Sequence, residues 1–495
     1  MEIELKLSLK LNEISDARAL LKRVSGASPK VESLHAIYYD TSSHSLFKKG
    51  YTLRVRKEGR HQVQTLKHSD PRRGDAMHRD EWSDPVDSAN VDTSAGESGR
   101  QIRKRFGKVR IAPLFTVEVK RERFQHTTAD GAEIEIALDI GRVSAGRRST
   151  PIREIELELK SGPVAAVYNL ALNVAEHLDV AVEPLSKGQH GFALIGAYKP
   201  DGVRLETPVF ASSHTVADAL AAAARRYFAQ YLQNLPALRE GLEDGVHQMR
   251  VAIRRLRSVL SAMRDYVPEA EYKLVSGQLK TIQRTLSNTR DLDVLLARVR
   301  EVPELPLRRT KAHRALVDTL TVRRRDALAQ VRHTLESKAQ TLTWLRVMLW
   351  FEGLVDKPAD APVHGKLADE SPKILAKLLK RVRKRAKGFA GLSAEKQHGV
   401  RIACKKLRYG VDLFASLYKK RDIATFVHSL KVVQDELGML NDAHMARHLL
   451  MNPPPSGQAA LPAGEALGWI ERDTKPTVKK AAKHLRKVMD TKPYW

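Results

Sequence analysis

Charged and apolar residues alternate in several short stretches of the sequence, so ionised side chains of both signs could gather on one surface. The N-terminus has Glu2, Glu4 and Lys6 at alternate positions. The same spacing recurs along the chain at Arg54 with Arg56, Thr65 with Lys67, Glu118 with Lys120, Glu133 with Glu135, and Glu154 with Glu156, Glu158 and Lys160. Carboxylate oxygens are hard ligands for Mg²⁺ or Mn²⁺, and Arg and Lys neutralise phosphate oxygens. The residue types therefore suit a divalent metal together with a phosphate chain.

The elements that must position these side chains are strands, because successive side chains of a strand point to opposite faces. We predict strands at about 1–10, 35–40, 51–57, 61–67, 115–124, 132–139 and 152–160, with helices at 13–24 and 164–178. A mainly antiparallel sheet with a few helices follows. An amphipathic sheet with its charges in water is the simpler interpretation. Facing strands would then set like charges near each other, which is unfavourable unless counter-ions intervene. If the sheet closes into a barrel with these residues inside, its interior gathers carboxylates and cations that suit a divalent metal and a polyphosphate.

The ordered series of motifs in residues 1–197 resembles the CYTH superfamily, the triphosphate tunnel metalloenzymes. The matching motifs are Glu2-x-Glu4-x-Lys6, Tyr38-Tyr39-Asp40-Thr41, Leu53-Arg54-Val55-Arg56, Thr65-Leu66-Lys67, Lys120-Arg121, Ala137-Leu138-Asp139-x-Gly141 and Glu154-Ile155-Glu156-Leu157-Glu158. The resemblance implies an α+β domain, with an eight-stranded antiparallel β tunnel and flanking helices. It also implies a hydrolase that acts on triphosphates with Mg²⁺ or Mn²⁺.

Site roles follow from the same resemblance. It implies catalytic roles for Glu2, Glu4, Lys6 and Glu156, metal binding by Glu2, Glu4, Glu154, Glu156 and Glu158, and triphosphate binding by Lys6, Arg54, Arg56, Lys67, Arg121 and Lys187. Lys120 and Arg121 lie on opposite faces of a strand, so only one of them can point inward. The sequence departs from the family at His190, where a permanent cation is usual.

An internal repeat marks the second half of the chain, which is rich in Ala, Leu, Arg and Lys at helical spacing. The segment from His247 to Arg257 matches the segment from His398 to Arg408 at an offset of 151 residues, and the register continues to Asp291 and Asp442. We therefore predict a tunnel domain at 1–200, a linker at 201–210 and an all-α domain at 211–495. The all-α domain would contain two related helical bundles, at about 211–350 and 365–495.

A row of basic residues is duplicated with this repeat. On a helix, the members of each row fall within roughly 80° of one another; they are His247, Arg250, Arg254 and Arg257, and His398, Arg401, Lys405 and Arg408. A solvated basic face is the usual explanation for such a row. Its duplication, histidine included, favours a ligand surface. Neither histidine has a metal-binding spacing, so phosphate contact or hydrogen bonding is preferred to a metal site.

This half resembles the CHAD domain, a conserved-histidine α-helical domain often fused to CYTH domains, on the residues of the two rows. The resemblance implies that the rows bind inorganic polyphosphate and that the protein is associated with polyphosphate granules. As a whole, the chain resembles bacterial CYTH–CHAD inorganic triphosphatases.

The net charge of +27 is unevenly distributed, with +5 in residues 1–200 and +22 in residues 201–495. Nucleic acid is a less suitable partner than polyphosphate, because only 6% of residues are aromatic and none lies within the duplicated rows. The basic helices lack a Trp or Phe face for a membrane surface. The single cysteine, Cys404, excludes a disulfide framework. The N-terminus does not resemble a signal peptide, so we expect a cytoplasmic protein, and the CHAD resemblance implies a location on polyphosphate granules.

Two functional hypotheses result. In the first, the tunnel hydrolyses inorganic triphosphate to pyrophosphate and phosphate while the helical domain binds polyphosphate. In the second, the protein is a polyphosphate-binding or granule-associated protein whose tunnel is inactive or acts on another organic triphosphate. Inorganic, nucleoside and thiamine triphosphates all remain candidate substrates.

Overall fold

A computed structural model describes residues 3–59, 61–68, 80–94, 96–301, 310–472 and 474–495. The chain forms two compact units. The sheet unit comprises residues 1–206, 228–240 and 335–353, and the helical unit comprises residues 207–227, 241–334 and 354–495. Two segments from beyond residue 211 thus pack with the sheet, so the boundaries given above stay a prediction.

The sheet unit is built on one antiparallel sheet. Its strands within the described residues are β1 (Ile3–Leu9), β2 (Lys30–Asp40), β3 (Tyr51–Glu58), β4 (His61–His68), β5 (Asp80–Val86), β6 (Ala112–Thr127), β7 (Glu133–Ala145), β8 (Arg148–Ser161) and β9 (Val180–Val182). They pair in the order β5-β4-β3-β2-β6-β7-β8-β1-β9. The antiparallel architecture is confirmed. The expected count of eight strands is not confirmed, because the described residues form nine strands. β5 and β9 have no counterpart among the seven predicted segments.

Strand register converts the alternating sequence into two faces of different character. Lys6 pairs with Glu156 and Glu4 with Glu158 between β1 and β8. The alternate residues of β1 and β8, such as Leu7 and Leu157, are fully buried. Each such side chain contributes about 1.5–3 kcal/mol when removed from water. Apolar burial therefore fixes which face the charges occupy.

Glu118 and Lys120 on β6 do not share the face of Arg121. Glu118 is about half exposed and lies near His35 and Arg142. Its strand therefore presents its odd-numbered residues to the charged face. The alternation at Glu118 and Lys120 is that of an ordinary solvated face.

Helices of the sheet unit pack around the sheet. Those of eight residues or more that lie wholly within residues 1–206 are α1 (Ile14–Ser25), α3 (Gly96–Phe106), α4 (Val164–His177) and α5 (Lys187–Leu194). Helix α2 (Ser45–Lys48) is a single turn. The next two are α6 (Val216–Gln233), whose C-terminal part joins this unit, and α7 (Leu235–Arg239). A later helix of the chain, Lys338–Glu352, is also part of the unit and packs on α4. It is numbered α11 in chain order.

The helical unit contains the remaining long helices. They are α8 (Glu243–Ala262), α9 (Glu269–Glu301), α10 (Lys311–Leu335), α12 (Leu367–Ala386), α13 (Ala394–Leu413), α14 (Lys420–Met451), α15 (Ala460–Arg472) and α16 (Thr474–Asp490). An offset of 151 residues carries the bounds of α8 onto those of α13. It also carries α9 onto α14 to within one residue. Equivalence of the two halves beyond these helix pairs stays a prediction. Within the described residues, every helix is too short or too polar to cross a membrane.

Helix α5 is held against the sheet by close packing at Gly191. Ser186 and Gln189 form a capping box at its N-terminus, and Phe192 is fully buried. A Cβ atom on Gly191 would lie 2.0 Å from the ring of Phe115 on β6. Only glycine lets the helix approach the strand this closely.

We predict that Gly191→Ala lowers the free energy of unfolding of the sheet unit by about 2 kcal/mol, because overpacking forces the buried Phe115 ring to move. Gly464→Ala is the matched control, since Gly464 is helical and no atom lies within 4 Å of its virtual Cβ. Differential scanning calorimetry of both variants measures the difference. Equal transition temperatures for Gly191→Ala and the wild type would contradict the prediction.

Candidate functional site

A cavity of about 830 Å³ lies against the charged face of the sheet. Its lining includes most of the residues that sequence analysis assigned to the triphosphate site: Glu4, Lys6, Arg54, Arg56, Lys67, Arg121, Glu156, Glu158 and Lys187. Glu154 is 2% exposed and adjoins Glu156. Glu2 lies outside the described residues. The register of β1, β3, β4, β6 and β8 brings these side chains together, since each comes from alternate positions of its strand.

Three carboxylates form a cluster beside the cavity. One oxygen from each of Asp139, Glu154 and Glu156 lies within 4.8 Å of the others. The ammonium of Lys187, on α5, lies 2.7 Å from Asp139 Oδ2 and 2.8 Å from Glu156 Oε1, and it also contacts Glu154. Arg121 Nη2 lies 2.6 Å from Asp139 Oδ2 and 2.5 Å from Glu156 Oε2. Lys187 and Arg121 thus contact the three acids directly, and Lys6 lies 4.0 Å from Glu156.

The ionisation of the cluster reflects this compensation. Burial alone would raise the pKa of Glu156, but Lys187, Lys6 and Arg121 hold that pKa well below its usual value. Burial raises the pKa of Glu154, and Lys187 opposes the shift. Burial would lower the pKa of Lys187, yet the three carboxylates raise it well above its usual value. In this buried cluster, the attraction between opposite charges outweighs the cost of burial and keeps Glu156 and Lys187 ionised.

A second group of carboxylates lies on the same face of the sheet, two residues beyond Glu156 along β8. Glu4 on β1 pairs in register with Glu158 on β8, and Glu158 pairs with Glu135 on β7. Lys160 lies 2.6 Å from Glu158, and Arg123 Nε lies 3.6 Å from Glu135. Within the described part of the chain, Glu4 makes no ion pair with a basic side chain. Its carboxylate is therefore open to a cation from outside the protein.

Arg54 is a partly buried cation of the predicted set. Burial would lower the pKa of its guanidinium, but the neighbouring Tyr38 and Glu81 raise it. Its Nε atom is buried without a hydrogen-bond partner. An unpaired, buried N–H of a cation is an unused donor for an anionic oxygen.

Two acidic residues of the site were missed by sequence analysis. Asp139 was noted only as part of a motif, although Ala137-Leu138-Asp139 places it on the face of Glu135. Glu81 lies 2.6 Å from Lys67 and belongs to β5, a strand that was not predicted because Pro85 interrupts its pattern. His190 is not among the residues that line the described cavity; it lies 3.8 Å from Glu183, and burial lowers its pKa.

The duplicated basic rows meet in the helical unit, where α8 packs on α13. Arg254 Nε donates a hydrogen bond of 2.7 Å to Tyr409 Oη. Arg250 contacts Ser287 and lies 3.7 Å from Asp291 on α9. The outer members of the rows are held alike, since Arg257 donates to Gln283 at 2.6 Å and Arg408 to Gln434 at 3.0 Å. His398 Nδ1 lies 2.8 Å from Asn441 Oδ1.

Basic side chains outnumber acidic ones where the two rows meet, and this excess lowers the pKa values of two basic groups. Burial, together with the charges of Arg254, Arg401 and Arg250, lowers the pKa of Lys405 to about 6. Burial, together with Arg290 and Arg254, lowers the pKa of His247 to about 4. Both side chains are therefore mainly neutral at pH 7 in the free protein.

Unused donors accompany the excess of cations. The Nε atoms of Arg257, Arg401 and Arg408 are buried without a hydrogen-bond partner. Two lysines of α12 are instead compensated locally, since Lys373 lies 2.8 Å from Glu370 and Lys377 contacts Asp265. The α8–α13 cluster, formed by His247, Arg250, Arg254, Arg401 and Lys405, is thus better suited to an external anion than the α12 lysines.

Comparison with known proteins identifies both regions. The family model of the CYTH domain matches residues 1–192, and that of the CHAD domain matches residues 222–451. An inorganic triphosphatase of Haemophilus influenzae is 28% identical over 193 residues, which cover 39% of this chain and 54% of that protein. The chain thus spans about half the length of this relative.

Two other proteins resemble longer parts of the chain. An uncharacterized protein of Mycobacterium tuberculosis is 28% identical over 460 residues, covering 88% of this chain and 84% of that protein. The crystal structure of the CHAD domain from the plant Ricinus communis is 24% identical and covers 58% of this chain and 96% of its own, with a TM-score of 0.45.

We predict that Lys405→Gln flattens the pH dependence of stability. The pKa of Lys405 is lowered to about 6 in the folded chain from the ordinary lysine value of 10.5. Between these values the unfolded chain binds a proton that the folded chain does not, so the free energy of unfolding rises with pH across this window. Removing the amine removes that contribution.

Calorimetric unfolding of the wild type and Lys405→Gln at several pH values from 6 to 10 measures the effect. Lys405→Arg provides a control, because its side chain stays charged in both states and cannot contribute such a slope. Parallel stability curves for the wild type and Lys405→Gln would contradict the assignment.

Proposed function

This chain joins a CYTH domain to a CHAD domain, and from that premise we propose that it is a divalent-metal-dependent inorganic triphosphatase that also binds inorganic polyphosphate. The sheet unit would convert triphosphate to pyrophosphate and phosphate. The helical unit would hold longer phosphate chains. The observation that carries the first part is the cavity in which Arg54, Arg56, Lys6 and Lys67 face a set of carboxylates.

A phosphate chain suits the cations of this cavity better than a single small anion does. Four basic side chains from β1, β3 and β4 can each bind different oxygens of one extended polyanion. The buried, unpaired Nε of Arg54 offers a donor that no described residue uses. Phosphoryl transfer depends mainly on positioning and charge neutralisation, which fixed cations on strands supply.

The carboxylates have the chemistry of a site for Mg²⁺ or Mn²⁺, because all of their donor atoms are hard oxygens. Glu154, Glu156 and Asp139 would hold one ion, and Glu4 and Glu158, with Glu2 beyond the described residues, would offer further oxygens. When bound, such an ion would neutralise phosphate oxygens and make a water molecule more acidic.

The chain's own residues would then act as follows. Lys187 and a metal ion compete for the same carboxylate oxygens, so ion binding would free the Lys187 ammonium to bind phosphate. Arg121 would keep Asp139 and Glu156 ionised through its two short contacts. Lys6, which lies 4.0 Å from Glu156, would hold the substrate next to these acids.

The helical unit is proposed to bind inorganic polyphosphate through the α8–α13 cluster. A buried excess of cations is costly without counter-charge, and a polyanion would supply that charge along a continuous line. Lys405 would take up a proton as the anion binds, because a phosphate oxygen nearby favours the charged amine. The outer members of the rows, His398, Arg257 and Arg408, would extend the contact. Such a protein would be found at polyphosphate granules.

A second function is supported by one observation. Lys187 already pairs with all three carboxylates of the buried cluster, so the tunnel would be inactive if that pairing is not displaced. The protein would then serve as a polyphosphate-binding or granule-associated protein. A tunnel acting on another organic triphosphate belongs to the same alternative. The following measurement separates the two functions.

We predict that Glu4→Ala lowers the rate of triphosphate hydrolysis at least about a hundredfold, because a proposed carboxylate ligand of the divalent metal ion is lost. Phosphate release from inorganic triphosphate with Mg²⁺, and separately with Mn²⁺, gives the rate. Glu118→Ala removes an equal charge from the outer face of β6 and should react like the wild type. Equal rates for Glu4→Ala and the wild type would rule out the triphosphatase proposal and favour the second function.

We predict that replacing both Arg250 and Arg401 with alanine weakens polyphosphate binding at least about a hundredfold, since two charge-assisted hydrogen bonds are lost. Lys380 and Lys384, both exposed on α12, provide a double-alanine control with the same change in charge. Titration calorimetry with long-chain polyphosphate at two salt concentrations measures affinity. Retained affinity in the Arg250/Arg401 variant would exclude the α8–α13 cluster as the binding surface.

A further inference from the structure

The cavity of the sheet unit has a wall that the CYTH match does not include. Gln233, at the end of α6, and Pro236, in α7, line the cavity together with Lys199 and Val203. All four residues lie beyond residue 192, where the CYTH match ends. The side chains that close this part of the cavity therefore come from sequence beyond the CYTH match.

This wall is fixed to the sheet unit by hydrogen bonds. Asn234 is fully buried, and its side chain accepts from Val203 N at 2.9 Å and donates to Val203 O at 2.8 Å. Gln230, also fully buried, accepts from Leu205 N at 3.3 Å. Residues 203–205 are thus held along the end of α6. A wall held in this way is expected to keep its position when a substrate enters.

Aromatic packing supports the same segment from behind. The ring of Trp344 on α11 lies 4.8 Å from Phe228 and 4.7 Å from Tyr231, both on α6. Helix α11 is in turn joined to α4 by Arg346, which lies 3.0 Å from Glu176. The wall is therefore supported by a helix that comes more than a hundred residues later in the chain.

The wall lies next to α5, the helix that supplies Lys187. The pKa of His190 on α5 is lowered by burial first and also by neighbouring charges that include Arg239 on α7. Ser186, which caps the N-terminus of α5, and Gln189, in its first turn, also line the cavity. Gln233 itself has a buried Oε1 atom without a hydrogen-bond partner.

We infer that Gln233 and Pro236 form a size filter that admits an unsubstituted phosphate chain and rejects a triphosphate carrying a nucleoside. This inference rests on the proposed triphosphatase function and adds to it a determinant of substrate class. The cavity of about 830 Å³ is large enough in volume for a ligand of nucleotide size. Selection between inorganic and nucleoside triphosphates must therefore come from the positions of the cavity walls and not from the cavity volume. A bulky group directed at a rigid wall is excluded by contact, whereas a terminal phosphoryl group is not.

The test uses the full chain with two substrates, inorganic triphosphate and adenosine triphosphate. Gln233→Ala opens the wall and should raise the ratio of kcat/KM for adenosine triphosphate over that for inorganic triphosphate by about tenfold. Gln233→Trp fills the same space and should lower the ratio. Gln330→Ala, at an exposed position of α10, is the matched control and should leave the ratio unchanged.

A second readout does not depend on turnover. The dissociation constants of both triphosphates, measured in the presence of a chelator, should change in the same direction as the kinetic ratio. A ratio within twofold of wild type in both Gln233 variants, with triphosphate hydrolysis intact, would overturn the filter and leave the proposed function standing. A wild-type chain that hydrolyses neither triphosphate would overturn the proposed function and this inference together.

Discussion

Asp139, Glu154 and Glu156 share the interior of the sheet unit with Lys187 and Arg121, and the architecture of the unit depends on how these charges compensate one another. The two glutamates come from β8, the aspartate from β7, Arg121 from β6 and the lysine from α5. Breaking one partner away would leave an uncompensated buried charge, which is strongly unfavourable. The helix is thus tied to three strands by charge, while Gly191 allows its backbone to approach the ring of Phe115. The same charges that hold the element in place are those that could bind a metal and a phosphate chain.

The helical unit handles buried charge in a different way. Its α8–α13 cluster has more cations than acids, and Asp291 supplies only part of the missing charge. Lys405 and His247 respond by losing their protons, because a neutral side chain is less costly there than a charged one. The sheet unit therefore buries opposite charges as ion pairs. The helical unit buries more basic than acidic side chains, and two of the basic side chains lose their protons. The pairs can be opened by a competing cation, and the excess can be relieved by an anion.

Sequence periodicity predicted the strands that build the site well, because a strand with one buried face must alternate. β1, β3 and β8 follow the alternation of Glu4 with Lys6, Arg54 with Arg56, and Glu154 with Glu156. It failed where the pattern was short or interrupted: β5 contains Pro85, and β9 has only three residues. It also treated Glu118 and Lys120 in the same way as the inner residues, since alternation shows that two residues share a face but not which face is enclosed. Asp139 was part of a noted motif, yet its contact with Lys187 depends on α5 and could not be deduced from spacing.

Spacing along the chain was enough to predict which residues share a face and that the helical rows are duplicated, because both properties depend on local geometry and on a fixed offset. It therefore sufficed for the α+β and all-α classes and for most members of each charged set. The folded chain was needed to show which carboxylates contact Lys187 and which rows face each other across α8 and α13. It was also needed to show that Gln233 and Pro236 complete a cavity whose other described walls lie at least 30 residues earlier in the chain. Those contacts arise from packing between distant segments, and their energies depend on burial and on neighbouring charge. Neither quantity exists until the chain has folded.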